Sequence, residues 1–533
     1  MMNKPIFWIL ILSFLIRALV AIQPAEALIS RTLQDDSYYY FSTARNIATG
    51  IGVTEDGINP TNSFHVIWQT IMVPFFWLGG GMDTPIHFIL IVSAIIDTLT
   101  IGLLYKLAVR ISNINIANLS AAIYGINPFV IMANISGMEG ALMTLSVLMV
   151  IYYFVLCKDK FSIKNMLVLG LLSYIAIFSR WDAVILIFLI SIYLIHKNFK
   201  RGILFSAIVF FLIFPWFVWS YSGFGTILPN SGKVVYEFYH GLGQPEHVQT
   251  LGEVSSIIMR NTIKFFGTIF HQLGAVSQFP IYVNAFIVFF VLLTIVYSTD
   301  LMKKLNIFFL FAVGIFLFYS VYMWAIHIRY FTPLIPILCI LISGGALKIS
   351  EKIKINSKIL PAAFIIVLIS GGLIQWNEKY FPWQTVMYKW TEWINNITDK
   401  SDVLASFNSG IITYYTERKT LNLDGLVNPY GLDFLKNRSV INYMKSKNVS
   451  YFIDGSFYNE SVYRNYAEYG YEVDPLFDSY QSSFLGEGKE DMILLKKEYG
   501  IYAHVSGEKF SVMFFAYRLN SSQISSYPIS PII

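Results

Sequence analysis

Two aspartates, Asp35 and Asp36, stand side by side in "LQDDSYYYFSTARNIATGIG", shortly after an apolar stretch of membrane-spanning character. Adjacent carboxylates beside a lipid boundary are costly, and ionisable groups kept there usually mark a site or a pathway. The same loop carries Asn62 and His65 in "NPTNSFHVIW". Later segments add Glu139 in "SGMEGAL", Arg180 and Asp182 in "SRWDA", Lys233 in "LPNSGK", and His327, Arg329 and Tyr330 in "HIRYFTPLIP". Carboxylates near several cations suit one reaction class. A carboxylate takes the proton of an attacking hydroxyl, a contribution of typically about 10²–10⁴-fold. Arg329, as a bidentate fork, and Lys233, as a point charge, neutralise a departing phosphate. The matching donor is a sugar carried on a lipid phosphate and held in the bilayer by its polyprenyl tail. The chain has no glycine-rich phosphate loop, and such a donor does not require one.

These residues need elements that gather them. Of 533 residues, 55% are hydrophobic, 17% aromatic and 13% charged, whereas a soluble domain carries about 25% charged residues. Mean hydropathy is +0.57, so most of the chain belongs in lipid. A span takes roughly 20 apolar residues, and about eleven segments qualify. They lie near residues 6–22, 86–108, 114–133, 141–157, 163–178, 182–196, 202–222, 280–298, 306–325, 331–349 and 358–375.

With the N-terminus in the cytoplasm, the inner loops collect Lys106 and Arg110, Lys158 and Lys160, Lys197 and Lys200, Lys303 and Lys304, and Lys352 and Lys354. That is the positive-inside pattern at each inner loop. Every chemistry-bearing residue named above then lies at the extracytoplasmic end of a helix. Their convergence predicts one cavity on that face. Residues 66–78, "VIWQTIMVPFFWL", are too short to span and contain Pro74. They are expected as an interfacial or re-entrant helix within a large first outer loop, 23–85. The stretch near 263–275 has the same character.

After residue 375 the sequence turns polar. "VLASF" and "VSYFID" have the pattern of buried strands, and "WQTVMYKWTEWINNI" and "DFLKNRSVINYMKSKN" that of amphipathic helices. The expected fold class is therefore a polytopic α-helical membrane protein with a C-terminal extracytoplasmic α/β domain. Its parts are 1–375, the transmembrane catalytic domain, and 376–533, the soluble domain. The net charge of +5 is small for this length; it reflects cytoplasmic lysines and gives no nucleic-acid footprint. Two cysteines, Cys157 and Cys339, make neither a disulfide framework nor a zinc site.

Plainer roles stand beside the chemical ones. Asp35 or Asp36 can cap the helix that "SYYYFSTARNIATG" forms before Gly50. The three tyrosines are expected to pack, and Arg45 is a candidate for a lipid headgroup. Glu139 suits a helix N-terminus, and Arg180 with Asp182 suits a pair bracing the cavity rim. Arg329, between "AIH" and "YFTPLIP", has little reason to be there without an anion.

"DDSYYYFSTARNIATGIG…DGINPTNSFHVIW" resembles the first outer loop of the GT-C superfamily of membrane glycosyltransferases that use polyprenyl-phosphate sugars. It is most similar to prokaryotic arabinofuranosyltransferases and protein-mannosyltransferase-like proteins. "SGMEGAL", "SRWDA", "LPNSGK" and "HIRYFTPLIP" follow in the family's order, and "LDGLVN" resembles a recurring segment of its outer domain. "SFHVIW" lacks the usual Gly and Pro, and "SRWDA" has Trp where Pro is common. The resemblance implies Asp35 and Asp36 as the catalytic acidic motif. It also implies His65, Lys233 and Arg329 as donor or acceptor contacts. Some superfamily members place a divalent cation at the acidic motif, and that is left open here.

The expectation is an inverting hexosyl or pentosyl transferase. It would move one sugar from a polyprenyl-phosphate donor to an extracytoplasmic glycan, lipid or protein. A transporter or flippase would need charge at mid-membrane depth and paired broken helices. A polysaccharide polymerase or ligase using a diphosphate donor would be expected to have arginine-rich outer loops.

Overall fold

Segments that are apolar on all sides can satisfy their backbone polar groups within lipid only as helices. In the computed structural model the described residues of the expected apolar segments are mostly helical. It describes residues 4–158, 160, 162–237, 251–322, 328–378, 381–459, 485, 487, 489, 492–503 and 509–519. The helices run α1 (Lys4–Ala21), α2 (Ala25–Arg31), α3 (Asp35–Ala48), α4 (Val66–Met72), α5 (Asp83–Ile111), α6 (Ile114–Gly125) and α7 (Pro128–Asn134). They continue with α8 (Gly140–Cys157), α9 (Ile163–Ser179), α10 (Val184–Lys197), α11 (Phe199–Phe224), α12 (Asn230–Glu237), α13 (Leu251–Gln272) and α14 (Ile281–Tyr297). Then come α15 (Thr299–Lys304), α16 (Asn306–Tyr322), α17 (Ile335–Lys352), α18 (Ile359–Glu378) and α19 (Pro382–Ile397).

Among the described residues, six helical segments are long and apolar enough to cross a membrane: α1, α5, α8, α11, Thr332–Lys352, which contains α17, and α18. The pair α6–α7 adds a seventh if its 61° bend falls within one span. Helices α9 and α14 and most of α16 are apolar but shorter. The chain is a multi-pass membrane protein. Residues 66–78 form α4 and a 3-10 turn, Val73–Trp77, started by Pro74. The stretch near 263–275 lies mostly in the longer helix α13.

The α6–α7 bend has a local cause. The Asn127 side chain accepts the N–H groups of Phe129 and Val130, and Pro128 occupies the first position of α7, so a new helix starts there. Beside the bend lies a fully buried ion pair. Arg17 Nε donates to Asp97 Oδ2 at 2.6 Å, and Tyr124 and Asn134 donate to Asp97 Oδ1 at 2.7 and 2.8 Å. Arg17 Nη1 also donates to the Gly125 carbonyl at 2.6 Å. The pair thus ties α1, α5, α6 and α7 together.

The C-terminal part holds a five-stranded sheet in the order β2-β1-β3-β5-β4. Its strands are β1 (Val403–Ser406), β2 (Lys419–Asn422), β3 (Tyr451–Asn459), β4 (Met492–Ala503) and β5 (Lys509–Leu519). The first three are mutually parallel and the last two antiparallel. The β1–β2 crossover contains α20 (Gly410–Thr416). "VLASF" and "VSYFID" are strands as expected. "DFLKNRSVINYMKSKN" is not continuous. It splits into α21 (Gly431–Lys436) and α22 (Val440–Ser446). Arg438 takes a left-handed φ of 49°, and Ser439 N–H returns to the Phe434 carbonyl at 3.0 Å, closing the first helix in the manner of a Schellman end.

Candidate active site

The first turn of α3 is capped by neither aspartate. Gln34 is the N-cap, in a reciprocal capping box with Ser37. Asp35 and Asp36 occupy the next two positions, where the helix dipole favours anions. Adjacent helical residues point about 100° apart, and here that separates their partners. Asp35 faces the C-terminal part: its carboxylate accepts the N–H of Ile411 at 2.8 Å and of Gly410 at 3.3 Å. Asp36 faces the membrane helices and pairs with Arg329 Nη2 at 2.8 Å. Arg329 Nη1 donates to Gln34 Oε1. Its Nε is buried without a partner among the described residues.

Electrostatics separates the two further. Burial pushes the Asp35 carboxyl up to about 7, with the Ile411 N–H opposing and the Asp36 charge adding. Burial pushes Asp424, after β2, up to about 8, and Asp36 and Asp35 add to it. Tyr39 donates to Asp424 at 3.4 Å. Thus the carboxyl ends of β1 and β2 face the acidic motif, the edge at which α/β sheets commonly bind ligands.

A second cluster centres on Glu139, next to the start of α8. It accepts from Arg180 Nη1 at 2.9 Å and from Tyr40 at 3.2 Å, and His65 Nε2 lies 3.7 Å away. Burial raises the Glu139 carboxyl, but the His65, Arg180 and Arg329 charges overcome it and hold the group at about 2. Arg180 also pairs with Asp182 at 3.0 Å, donates to Tyr319, and stacks 4.2 Å from the centre of the Tyr330 ring. Arg329 lies 5.3 Å from the centre of that ring, so Tyr330 bridges the two clusters. Arg180 and Asp182 are thus paired with each other.

Not every expected residue joins. Asn62 is structural: its amide donates to Ser220 at 2.8 Å and its carbonyl accepts the Asn230 N–H at 3.0 Å, docking the first loop on α11 and α12. Lys233 is exposed on α12 and has no hydrogen bond or ion pair among the described residues. His327 lies outside the described residues. Arg45 does not reach for a headgroup. It donates to the Tyr414 and Thr413 carbonyls at 2.9 and 3.3 Å and lies over the Tyr414 ring.

A cavity of about 60 Å³ opens beside the Asp36–Arg329 pair. Its polar lining is Arg31, Thr32, Gln34, His271, Arg329 and Gln375, and its apolar lining includes Phe129, Met132 and Phe381. Sequence reasoning missed Arg31, His271, Gln375, Asp424 and Gln384. Arg31 had a usable signal, a cation four residues before the aspartate pair; Gln375 looked like the polar end of a span. Among the described residues no three His, Cys, Asp or Glu side chains gather as a metal site. With Asp36 on Arg329 and Asp35 on backbone N–H groups, the pair does not fit a cation as arranged.

Comparison with known proteins bears on the fold. Residues 75–219 match the family model for dolichyl-phosphate-mannose-protein mannosyltransferase, and residues 377–502 match a domain family of unknown function. The apo oligosaccharyltransferase of Archaeoglobus fulgidus superposes with a TM-score of 0.55 at 12% identity, over 84% of this chain and 69% of that one. The same archaeal enzyme, AglB, in complex with an inhibitory peptide and a dolichol-phosphate gives 0.51 at 12% identity over the same shares. It has also been crystallised with Zn and sulfate. ArnT from Cupriavidus metallidurans gives 0.53 in the apo state at 12% identity, over 94% of this chain and 97% of that one. Bound to undecaprenyl phosphate it gives 0.50 at 11% identity over the same shares. No curated protein sequence matches the chain. The fold is that of the GT-C membrane glycosyltransferases, as the first-loop motif implied.

Proposed function

We propose that the protein transfers one sugar, with inversion, from a polyprenyl-phosphate donor to an extracytoplasmic glycan, lipid or protein. The observation that carries this is the division of the acidic motif. One carboxylate is poised near neutrality, and its neighbour is locked to a buried arginine beside a cavity whose lining joins two arginines to apolar side chains. The donor phosphate sits on Arg329 and Arg31, and its lipid tail leaves past Phe129 and Met132. Complexes of fold relatives with dolichol-phosphate and with undecaprenyl phosphate support this donor class. Asp35 is the base. Burial holds its carboxyl at about 7, and catalytic efficiency is greatest when the base matches the working pH. The acceptor oxygen attacks the anomeric carbon and its proton passes to Asp35. The bond from anomeric carbon to phosphate oxygen breaks, and the electron pair leaves with the phosphate.

Asp36 aims Arg329, while Glu139, Arg180, Asp182, His65 and Tyr330 form the second cluster, which meets Arg329 at the Tyr330 ring. Residues 1–375 form the catalytic part and 376–533 the extracytoplasmic part, oriented by the cytoplasmic lysines. The buried Arg17–Asp97 pair does not favour transport, because Asp97 is closed off by Arg17, Tyr124 and Asn134. The test is the purified protein in liposomes with radiolabelled polyprenyl monophosphate sugars. Consumption of one of them, with release of polyprenyl phosphate, is expected. Consumption only of a diphosphate-linked donor, or of none, refutes the assignment.

A further inference from the structure

Asp35 is gripped from outside the membrane helices. Its carboxylate accepts the Gly410 and Ile411 N–H groups, the first two of α20. Its own N–H donates to Gln384 Oε1 at 2.6 Å, and the Gln384 amide donates to the Ile29 and Leu33 carbonyls at 2.9 and 2.8 Å. The segment entering α20 is itself pinned. Asp454 on β3 accepts the Phe407 and Asn408 N–H groups at 3.2 and 3.3 Å. On the far side, the Tyr414 hydroxyl donates to the Met82 carbonyl at 2.6 Å and the Tyr415 hydroxyl to Asp83 at 2.8 Å. Gly410 leaves no slack: a Cβ there would lie 2.3 Å from the Asp35 carbonyl oxygen and 3.0 Å from Oδ1.

We infer that the C-terminal part is a working component of the active site, with Gln384, Gly410 and Ile411 as positioning residues that set where the Asp35 carboxylate points. This rests on Asp35 being the base. The domain family of unknown function covering 377–502 thereby acquires a role, the completion of the catalytic loop. Among the described residues the membrane part reaches this turn through Arg329, on Asp36 and Gln34, and through the Ser136 carbonyl, which accepts Ser37 Oγ at 2.6 Å, and none of these contacts holds the Asp35 carboxylate. The two N–H groups also oppose the upward push of burial on Asp35. Loosening them therefore makes Asp35 harder to deprotonate.

The test measures the full-length protein in liposomes across pH, with the radiolabelled lipid monophosphate sugar that it consumes. Gly410→Ala is expected to lower kcat toward about 10²-fold, the cost of roughly 1 Å of misplacement, with donor KM little changed. The acid limb of its pH–rate profile is expected to move to higher pH. Val440→Ala, in the core of the same part, is expected to lower stability and leave the limb in place. Wild-type kcat and an unmoved limb in Gly410→Ala overturn the inference. If that variant does not fold, Gln384→Ala decides by the same readouts. Hydrogen exchange at the Ile411 amide separates this from the fate of the transferase assignment, because it needs no turnover. Protection is expected in the wild type and its loss in Asp35→Ala. Unchanged exchange refutes the grip even if sugar is transferred.

Discussion

Asp35→Asn and Asp36→Asn differ by one position and are expected to fail in different ways. Asparagine at 35 still accepts the Ile411 N–H but cannot take a proton. The loss is that of a general base, about 10²–10⁴-fold in kcat, or about 3–5 kcal/mol of barrier at 1.36 kcal/mol per tenfold. In the wild type the base must be deprotonated, so activity rises with pH through about 7, where burial holds Asp35. That limb disappears in Asp35→Asn. Asp36→Asn keeps the base. Its missing charge had raised Asp35, so the acid limb moves to lower pH, while donor binding changes because Arg329 has lost its partner. The assay is transfer of radiolabelled sugar from polyprenyl phosphate by reconstituted protein from about pH 5 to about pH 9, a range that brackets the expected limb. An Asp35→Asn protein that keeps both rate and limb, while Asp36→Asn loses both, refutes the division of roles.

Arg329→Lys replaces a fork with a point charge and cannot keep both Gln34 and Asp36. A lost charge-assisted hydrogen bond of about 1.5–3 kcal/mol predicts a donor KM raised about 10–150-fold, measured in the same liposomes; an unchanged KM removes Arg329 from the phosphate site. Glu139→Ala strips a buried partner from Arg180, a change of about 3–5 kcal/mol in stability, visible as a lower thermal midpoint in detergent; an unshifted midpoint contradicts it. Asp97→Leu alone is expected to destabilise by a similar amount. The double variant Arg17→Leu with Asp97→Leu recovers much of it, since apolar replacement of a buried pair is often neutral. Equal midpoints for the single and double variants refute a purely structural pair.

The sequence alone determined the membrane class, the helical segments and the chemistry-bearing motifs, because these depend on local composition. Twenty apolar residues have few options in lipid, and lysine placement follows from the cost of moving charge across it. It also marked Arg329 as needing an anion, which proved to be Asp36. Partners distant in sequence were decided only by the tertiary structure. Adjacent aspartates are equivalent in the sequence. They diverge because helical geometry turns one toward α20, 375 residues away, and the other toward Arg329. The same holds for Asn62, which became a docking contact, and for Arg45, which turned to backbone carbonyls in place of a headgroup. Their side chains meet groups that only the packing of α3 between the membrane helices and the sheet brings within reach.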